Sequence, residues 1–583
     1  MKQLLHILLV MLFLFIGAAA HGQDKPAASP AETIEQYRAL IKETMGKNKL
    51  VGVGAALVFG DGQVWKESFG YADKEQKIPY TTRTTQPIGS ITKPITAMGV
   101  MQLQEKGLLD IDHPLLEYLP QFSVKTRGAD LREITVRSVI SHTSGLPNDI
   151  FLNATLETEK YTQVVSYLKD EVLTFPPRTI YHYSNVGYCL LGHVILSVSK
   201  QDYPDYMRKN IFQPVGMTHS GFIGYDRLQN ISRSYDEDGT PIKPTKIRTM
   251  PAGALYSNID DMVRLAQEII AIYHGKTGGF ITPRTLREIF REQKDSALIV
   301  DRKEGLGWSL FQNDSGLLVL HYGSDNLSYA GLIIAPEKRM AAVMLSNSAG
   351  GEAILDALSA KFLAACGFSD SDHEIHHTDS PPNTNIIELS TEQLIKYAGT
   401  YPHTRTLIEV ALAGKELVLK AESGTFRLKP VSADEFIPCK VVGPEKCEMM
   451  TNRRFLFKDI KGYRVLFLEN AARSRKPLAY KLGPQIIGET WKKRLGRYEI
   501  VGYQPGGKET FSRAEISLTD RQVLQLKIFY TSGEYVYYLR IENENELVVC
   551  GFDDVTGGDS LQFAREKGED QLRIYGLTMK KID

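Results

Sequence analysis

Hydrophobic and polar positions change rhythm twice along the chain. The β-rich runs VGVGAALVF and QVWKESFGYA flank Gly60-Asp61-Gly62, and Asp-Gly between such runs predicts a hairpin. A long middle section then places apolar residues at helical spacing: after Ser90, from Val186 to Val198 and from Asp260 to Tyr273, with Pro and Gly at the joints. Strand-like runs return in LLVLHYG and in YAGLIIAPEKRMAAVMLSN, where Pro336 and Glu337 mark a turn, and a helix is expected from Glu352 to Ala365. A hairpin, then helices, then strands predict one α+β domain whose sheet joins both ends of the segment.

The second change follows a polar, Pro-containing stretch from Ser369 to Asn385 that has no hydrophobic period and reads as a linker, residues 369–388. Beyond it Ile408, Val410, Leu412 and Leu524, Leu526, Ile528, Tyr530 alternate with period two, as in half-buried strands. LIKYAGTY and WKKRLGRY form a weak internal repeat that aligns Gly399 with Gly496. Two small β domains are therefore expected, over 389–486 and 487–583.

Composition adds exclusions. The 583 residues carry 69 basic and 69 acidic side chains, which argues against a partner held by bulk positive charge, nucleic acid or anionic lipid. With 43% hydrophobic and 24% charged residues the chain has ordinary globular composition. Its five cysteines are too few and scattered for a disulfide scaffold or a multi-cysteine metal site, although Cys439 and Cys447 could pair; Cys189 and Cys550 read as buried. Lys2, the apolar run Leu4 to Ile16 and the small residues Gly17 to Ala20 read as a signal peptide over 1–22, so the expected product is exported, periplasmic or secreted, with no membrane contact after cleavage.

The sharpest chemical signal lies in QPIGSITKPITAMGVMQL, where Ser90 and Lys93 form S-x-x-K. In a helix starting near Ser90 the i, i+3 spacing puts both side chains on one face, and Pro94 is tolerable in the first turn. A serine hydroxyl is a weak nucleophile until a base takes its proton, and a desolvated lysine beside it can be that base. The helix-start amides suit the developing negative charge. Ser166 with Lys169 and Ser197 with Lys200 also match the spacing and read as solvated helix faces.

Partners follow downstream. Tyr183-Ser184-Asn185 offers a phenol that exchanges protons with a serine or leaving group, a nearby cation being expected to favour the phenolate, and an amide to orient Lys93 and bind a substrate carbonyl. The second copy, Tyr256-Ser257-Asn258, reads as a helix cap. His321-Tyr322-Gly323 ends a strand; Gly323 lets a substrate backbone lie close, and the Ser324 amide is a candidate second oxyanion donor beside that of Ser90. Lys276-Thr277-Gly278 reads as a loop between helices.

The ordered set GSITK, SHTSGLPN, YSNVGYCLLGHVI, PAGALYSNIDDM, GLGW and HYG resembles the serine β-lactamase-related family, which includes class C β-lactamases, D-alanyl-D-alanine carboxypeptidases and related esterases. The resemblance covers residues 33–368 and implies a β-lactamase/transpeptidase-like domain, an antiparallel sheet with helices, and an acyl-enzyme mechanism; no cofactor or metal is expected. Ser90 would be the nucleophile, Lys93 and Tyr183 the proton-handling pair, Asn185 a positioning residue and His321 the member of the third motif. The remainder resembles the small antiparallel, lipocalin-like β-barrels appended to such hydrolases. Where β-lactamases proper carry Lys-Thr-Gly this chain has His321-Tyr322-Gly323, and a mostly neutral imidazole grips a carboxylate less firmly than lysine, which counts against β-lactams as substrate. The Gly323 to Gly331 segment also lacks the Pro-Gly that commonly follows.

A small-molecule or peptide substrate with an ester, amide or D-amino-acid bond is thus expected. The alternative is a catalytically silent penicillin-binding-like protein holding cell-wall or peptide ligands. His373-Glu374-Ile375-His376-His377 matches the zinc-protease pattern but falls in the polar linker, with Pro381 and Pro382 beyond, so no metal is expected. Nothing in the sequence fixes an oligomeric state.

Overall fold

The computed structural model describes residues 29–582 apart from 151–159, 243–246, 295–302, 326, 370–371, 373–383, 444–445, 461, 471–474, 502–510, 531–532, 553–556, 567–568 and 575–576. The signal segment, most of the linker and the H-E-x-x-H sequence lie outside the described residues. Among the described residues no helix is long and apolar enough to cross a membrane.

The first helix, α1 (Pro30–Asn48), opens on a capping box between Ser29 and Glu32. The expected hairpin follows as β1 (Gly52–Val58) and β2 (Val64–Asp73), extended by the short β3 (Ile78–Pro79). Helices α2 (Thr92–Glu105), α3 (Asn185–Ser199) and α4 (Ile259–Tyr273) fall where the periodicity puts them. Then come β4 (Lys303–Glu304), β5 (Ser309–Asn313), β6 (Gly316–Ser324), β7 (Tyr329–Ala335), β8 (Met340–Ser346) and α5 (Glu352–Ala365). The antiparallel sheet has the order β3-β2-β1-β8-β7-β6-β5-β4. The first and last long strands of this domain, β1 and β8, therefore meet at its centre, where Val53 pairs with Ser346 and Leu57 with Ala342.

Both faces of that sheet are covered. Val53, Ala55 and Leu57 of β1 pack with Leu318, Leu320, Ile333, Ile354 and Phe362 in the layer made by α1 and α5. Ala56 and Val58, pointing the other way, join Val319, Leu332, Ile334 and Val343 in the larger core under the middle helices. Burial on both faces is why β1 shows no polar alternation. Helix α2 is buried all round from Thr92 to Leu103, so it is the central post of the domain and carries Lys93 in its first turn.

The carboxy-terminal part forms two antiparallel β structures. In the first, strands run in consecutive order from Gly399–Pro402 to Arg475–Tyr480, with Cys447–Met449 beside Glu435–Val441, and the Leu482 amide donates to Thr400 O across the gap at 2.7 Å, nearly closing a barrel. The second, from Gly496–Ile500 to Leu577–Lys581, is a closed barrel. The weak repeat has a structural counterpart: a one-to-two-turn helix precedes each first strand, and buried Tyr401 and Tyr498 donate to the carbonyls four residues back, Tyr397 O at 2.8 Å and Arg494 O at 2.6 Å. The interiors are filled, by Tyr401, Leu417, Leu419 and Phe457 in one and by Tyr498, Leu526, Leu539 and Phe563 in the other. Cys439 and Cys447 are disulfide-bonded, and Cys189, Cys366 and Cys550 are buried and free.

The barrels pack on the first domain through one shared cluster. Phe175 and Ile180 meet Leu456, Val465, Phe467 and Tyr480 from the outside of the first barrel and Cys550 and Phe552 from the second. A polar seam flanks it: Lys125 Nζ donates to Gln562 Oε1 at 2.6 Å, and Arg127 pairs with Glu546 at 2.5 Å.

Candidate active site

Ser90 occupies a single 3₁₀ turn, Gly89–Ile91, that leads into α2, so the S-x-x-K spacing does place Ser90 and Lys93 on one face. Lys93 is fully buried while Ser90 remains partly exposed above it. Lys93 Nζ lies 3.0 Å from Ser90 Oγ, 2.6 Å from Asn185 Oδ1 and 2.9 Å from Ala252 O. Two of those three partners can only accept a hydrogen bond; Ser90 is the one that can also donate. A neutral Lys93 amine has two N–H donors and one lone pair, so satisfying both pure acceptors turns the lone pair toward the serine hydroxyl. Desolvation favours that neutral form, lowering the Lys93 pKa to about 7 against an opposing pull from Asp149.

Tyr183 OH donates to Ser90 Oγ at 2.8 Å, and the Lys93 ammonium position lies 4.5 Å from the centre of its ring. Desolvation pushes the Tyr183 phenol well above the ordinary tyrosine range. This reverses the expectation of a phenolate stabilised by a cation: the same burial that makes Lys93 neutral removes the fixed positive charge, so Tyr183 keeps its proton and is set to donate it. Ser184 caps α3, accepting from Gly187 N at 2.8 Å, which puts Asn185 at the first helical position facing Lys93.

The segment SHTSGLPN holds these residues in place. His142 stacks on Tyr183 with ring centres 4.5 Å apart, and its Nδ1 accepts from Ser184 N at 3.0 Å. Asn148 Nδ2 donates to Tyr183 O at 2.9 Å, while Asn148 O accepts from Asn185 N at 2.9 Å. PAGAL is fixed from the other side, Thr92 and Thr96 of α2 binding Leu255 N and Pro251 O at 3.2 and 2.7 Å. That contact places Ala252 O against Lys93.

The end of β6 lies against the Ser90 turn. A Cβ on Gly323 would sit 2.0 Å from Ile88 O and 2.7 Å from Ser90 N, so only glycine fits, and this contact brings the Ser324 and Ser90 backbones together beside the Ser90 turn. His321, two residues earlier on the same strand face, contacts Tyr322 O through Nδ1 at 2.6 Å; a carbonyl only accepts, so Nδ1 carries the proton. Desolvation above all, with Lys93 adding to it when charged, holds the imidazole far below its usual range, at about 3, and therefore neutral.

The other matching sequences lie on structural elements. Asn258 caps α4, accepting from Asp261 N, and Ser257 Oγ bonds Ser220 Oγ at 2.8 Å. Ser166 and Ser197 bond backbone carbonyls at Gln163 and Tyr118, and Lys276 pairs with Glu268. Among the described residues there is no group of three or more His, Cys, Asp or Glu side chains arranged to hold a metal. The sequence reading gave no role to Asp149, the residue after SHTSGLPN, whose Oδ2 accepts from Asn185 Nδ2 at 2.9 Å.

The Beta-lactamase family model matches residues 37–365. PbpX of Bacillus subtilis (strain 168) is 28% identical over 269 residues, 43% of this chain and 66% of that protein, so the chain spans just under two thirds of this relative. Penicillin-binding protein 4 of Amycolatopsis lactamdurans is 27% identical over 307 residues, 50% of this chain and 80% of its own. The crystal structure of SurE with D-Leu shares the fold, with a TM-score of 0.54 at 23% identity over 77% of this chain and 100% of SurE.

Proposed function

Since the chain belongs to the beta-lactamase family, whose members are serine hydrolases, we propose that it is an exported serine hydrolase that forms an acyl-enzyme on Ser90. The single observation carrying this reading is that Ser90 Oγ lies within hydrogen-bond distance of both Lys93 Nζ and Tyr183 OH. Lys93 takes the hydroxyl proton as Oγ attacks a carbonyl carbon. The Ser90 and Ser324 amides stabilise the tetrahedral oxyanion. Collapse breaks the bond to the leaving group, which takes the Tyr183 proton, and the phenolate is reprotonated from Lys93. Water then releases the acid by the reverse relay.

The substrate is an ester, amide or D-amino-acid peptide. Penicillin-binding relatives and a structural neighbour holding D-Leu favour the last, and the neutral His321 disfavours a site built to grip a carboxylate by charge. Intact-mass measurement after incubation with esters, D-alanyl peptides and β-lactams tests this. A trapped acyl group on wild type and none on Ser90→Ala is expected. Adducts that survive Ser90→Ala overturn the assignment of the nucleophile, and turnover of no panel member favours a silent ligand-binding relative.

A further inference from the structure

We infer that Asp149 is a positioning residue for the Ser90–Lys93 pair: it holds the Asn185 carboxamide in the orientation that presents oxygen to Lys93, and supplies a negative charge to the amine through it. The inference rests on the reading of Ser90 as nucleophile and Lys93 as base.

An asparagine amide fits its pocket two ways, and hydrogen-bond partners decide between them. A carboxylate is acceptor-only, so Asp149 Oδ2 fixes Asn185 Nδ2 on its side at 2.9 Å. The oxygen must then face Lys93 Nζ, 2.6 Å away. With the amide reversed, nitrogen would face the lysine donors and neither side would be satisfied. The carboxylate is itself held, because the preceding residue Asn148 is bound to Tyr183 O, Asn185 N and Val186 N.

The second oxygen of Asp149 argues against a purely architectural role. Among the described residues, its Oδ1 is buried and has no hydrogen-bond partner. An acid used only as a hydrogen-bond acceptor could be an amide or hydroxyl without the cost of a partly unsatisfied charge. Its charge acts on Lys93, on Tyr183 and on the buried Cys189. Lys93 faces the rings of Tyr183 and Tyr188, the neutral His321 and Asp149, with Glu304 acting on the two tyrosines. Asp149 is the carboxylate that favours the charged lysine; burial raises its own carboxyl to about 7 against the lowering effects of the Asn185 hydrogen bond and Lys93.

Two substitutions separate geometry from charge. Asp149→Asn keeps an oxygen to accept from Asn185, whereas Asp149→Ala removes the acceptor too. The rate of Ser90 labelling by a fluorophosphonate is followed against pH for both, with melting temperature as a control. Loss of the charge makes the neutral amine easier to form, so the acid limb of Asp149→Asn should move down by about one pH unit with its plateau retained. Asp149→Ala should show the same movement and a plateau about tenfold lower. An unmoved limb in both variants, even with a lower melting temperature, overturns the inference. A parallel cyanate pulse, reading carbamylation of Lys93 by peptide mass against pH, needs no reaction at Ser90. Absent Ser90 labelling in wild type with a Lys93 midpoint that still shifts in Asp149→Asn defeats the nucleophile assignment alone; an unshifted midpoint defeats the inference.

Discussion

Gly89 and Gly323 meet backbone to backbone. A Cβ on Gly89 would lie 2.4 Å from Ser324 N, and one on Gly323 2.7 Å from Ser90 N, so the absence of two side chains sets the spacing of the two amides, the proposed oxyanion donors. Gly323→Ala should separate them. Removal of one oxyanion donor typically costs about 10²–10³ in kcat, so a loss of that size with KM little changed is expected. Steady-state kinetics on whichever substrate acylates Ser90 checks it, and equal loss through KM would contradict it.

Tyr183→Phe deletes the donor to Ser90 Oγ without emptying the space under His142. Proton transfer by one positioned group contributes about 10²–10⁴-fold, and a loss in that range is expected for an amide. An activated ester, whose leaving group needs no proton, should lose much less. Comparing the two substrates by kcat/KM is the measurement, and equal losses would assign Tyr183 to packing instead.

The acylation rate should rise with pH through a midpoint near 7. Below it Lys93 holds a proton and cannot accept another; above it burial keeps the amine neutral. Tyr183 is shifted upward and His321 is already neutral, so neither adds a falling limb in the neutral range. Stopped-flow acylation across pH tests this, and a midpoint near the ordinary lysine value of about 10.4 would exclude Lys93 as the base.

Much of this site was legible because its chemistry sits in short stretches. Ser90 and Lys93 share a helix turn, Tyr183 and Asn185 flank a helix cap, and Gly323 ends a strand. Asp149 was not, since one acid after a proline-containing loop has no pattern, and its meeting with Asn185 exists only in three dimensions. The protonation of Tyr183 is not legible for a related reason: spacing brings a lysine near, but burial decides whether that lysine is charged. The β structures were legible from alternation and from the paired tyrosines. Their docking was not, because Phe175 and Ile180 lie in a proline-rich segment without periodicity.

Phe552→Ala tests that docking. Phe552 packs on Phe175 with ring centres 5.9 Å apart and on Tyr480 at 5.2 Å. Truncating a buried phenylalanine costs about 3–5 kcal/mol. Denaturant unfolding should show a loss of that order, and a loss below about 1 kcal/mol would mean that the cluster relaxes around the gap.

Reduction of Cys439–Cys447 should be mild by comparison. The two are eight residues apart, and closing so short a loop contributes about 2.5 kcal/mol by chain entropy. Thermal melts with and without reductant, alongside Ser90 labelling, should show a lower transition for the first barrel and unchanged labelling.

Phe175 and Ile180 stand only a few residues before Tyr183, and backbone bonds from Thr174, Arg178 and His182 to Gly145, Thr143 and His142 tie that stretch to the loop under the phenol. A shortened chain ending before Ser369 would therefore carry a bare greasy patch on the same strip that carries Tyr183. Such a fragment would be prone to stick to other copies of itself and to lose alignment at the serine together. Attempts to trim this chain to its first domain should replace Phe175 and Ile180 with polar residues before removing what covers them.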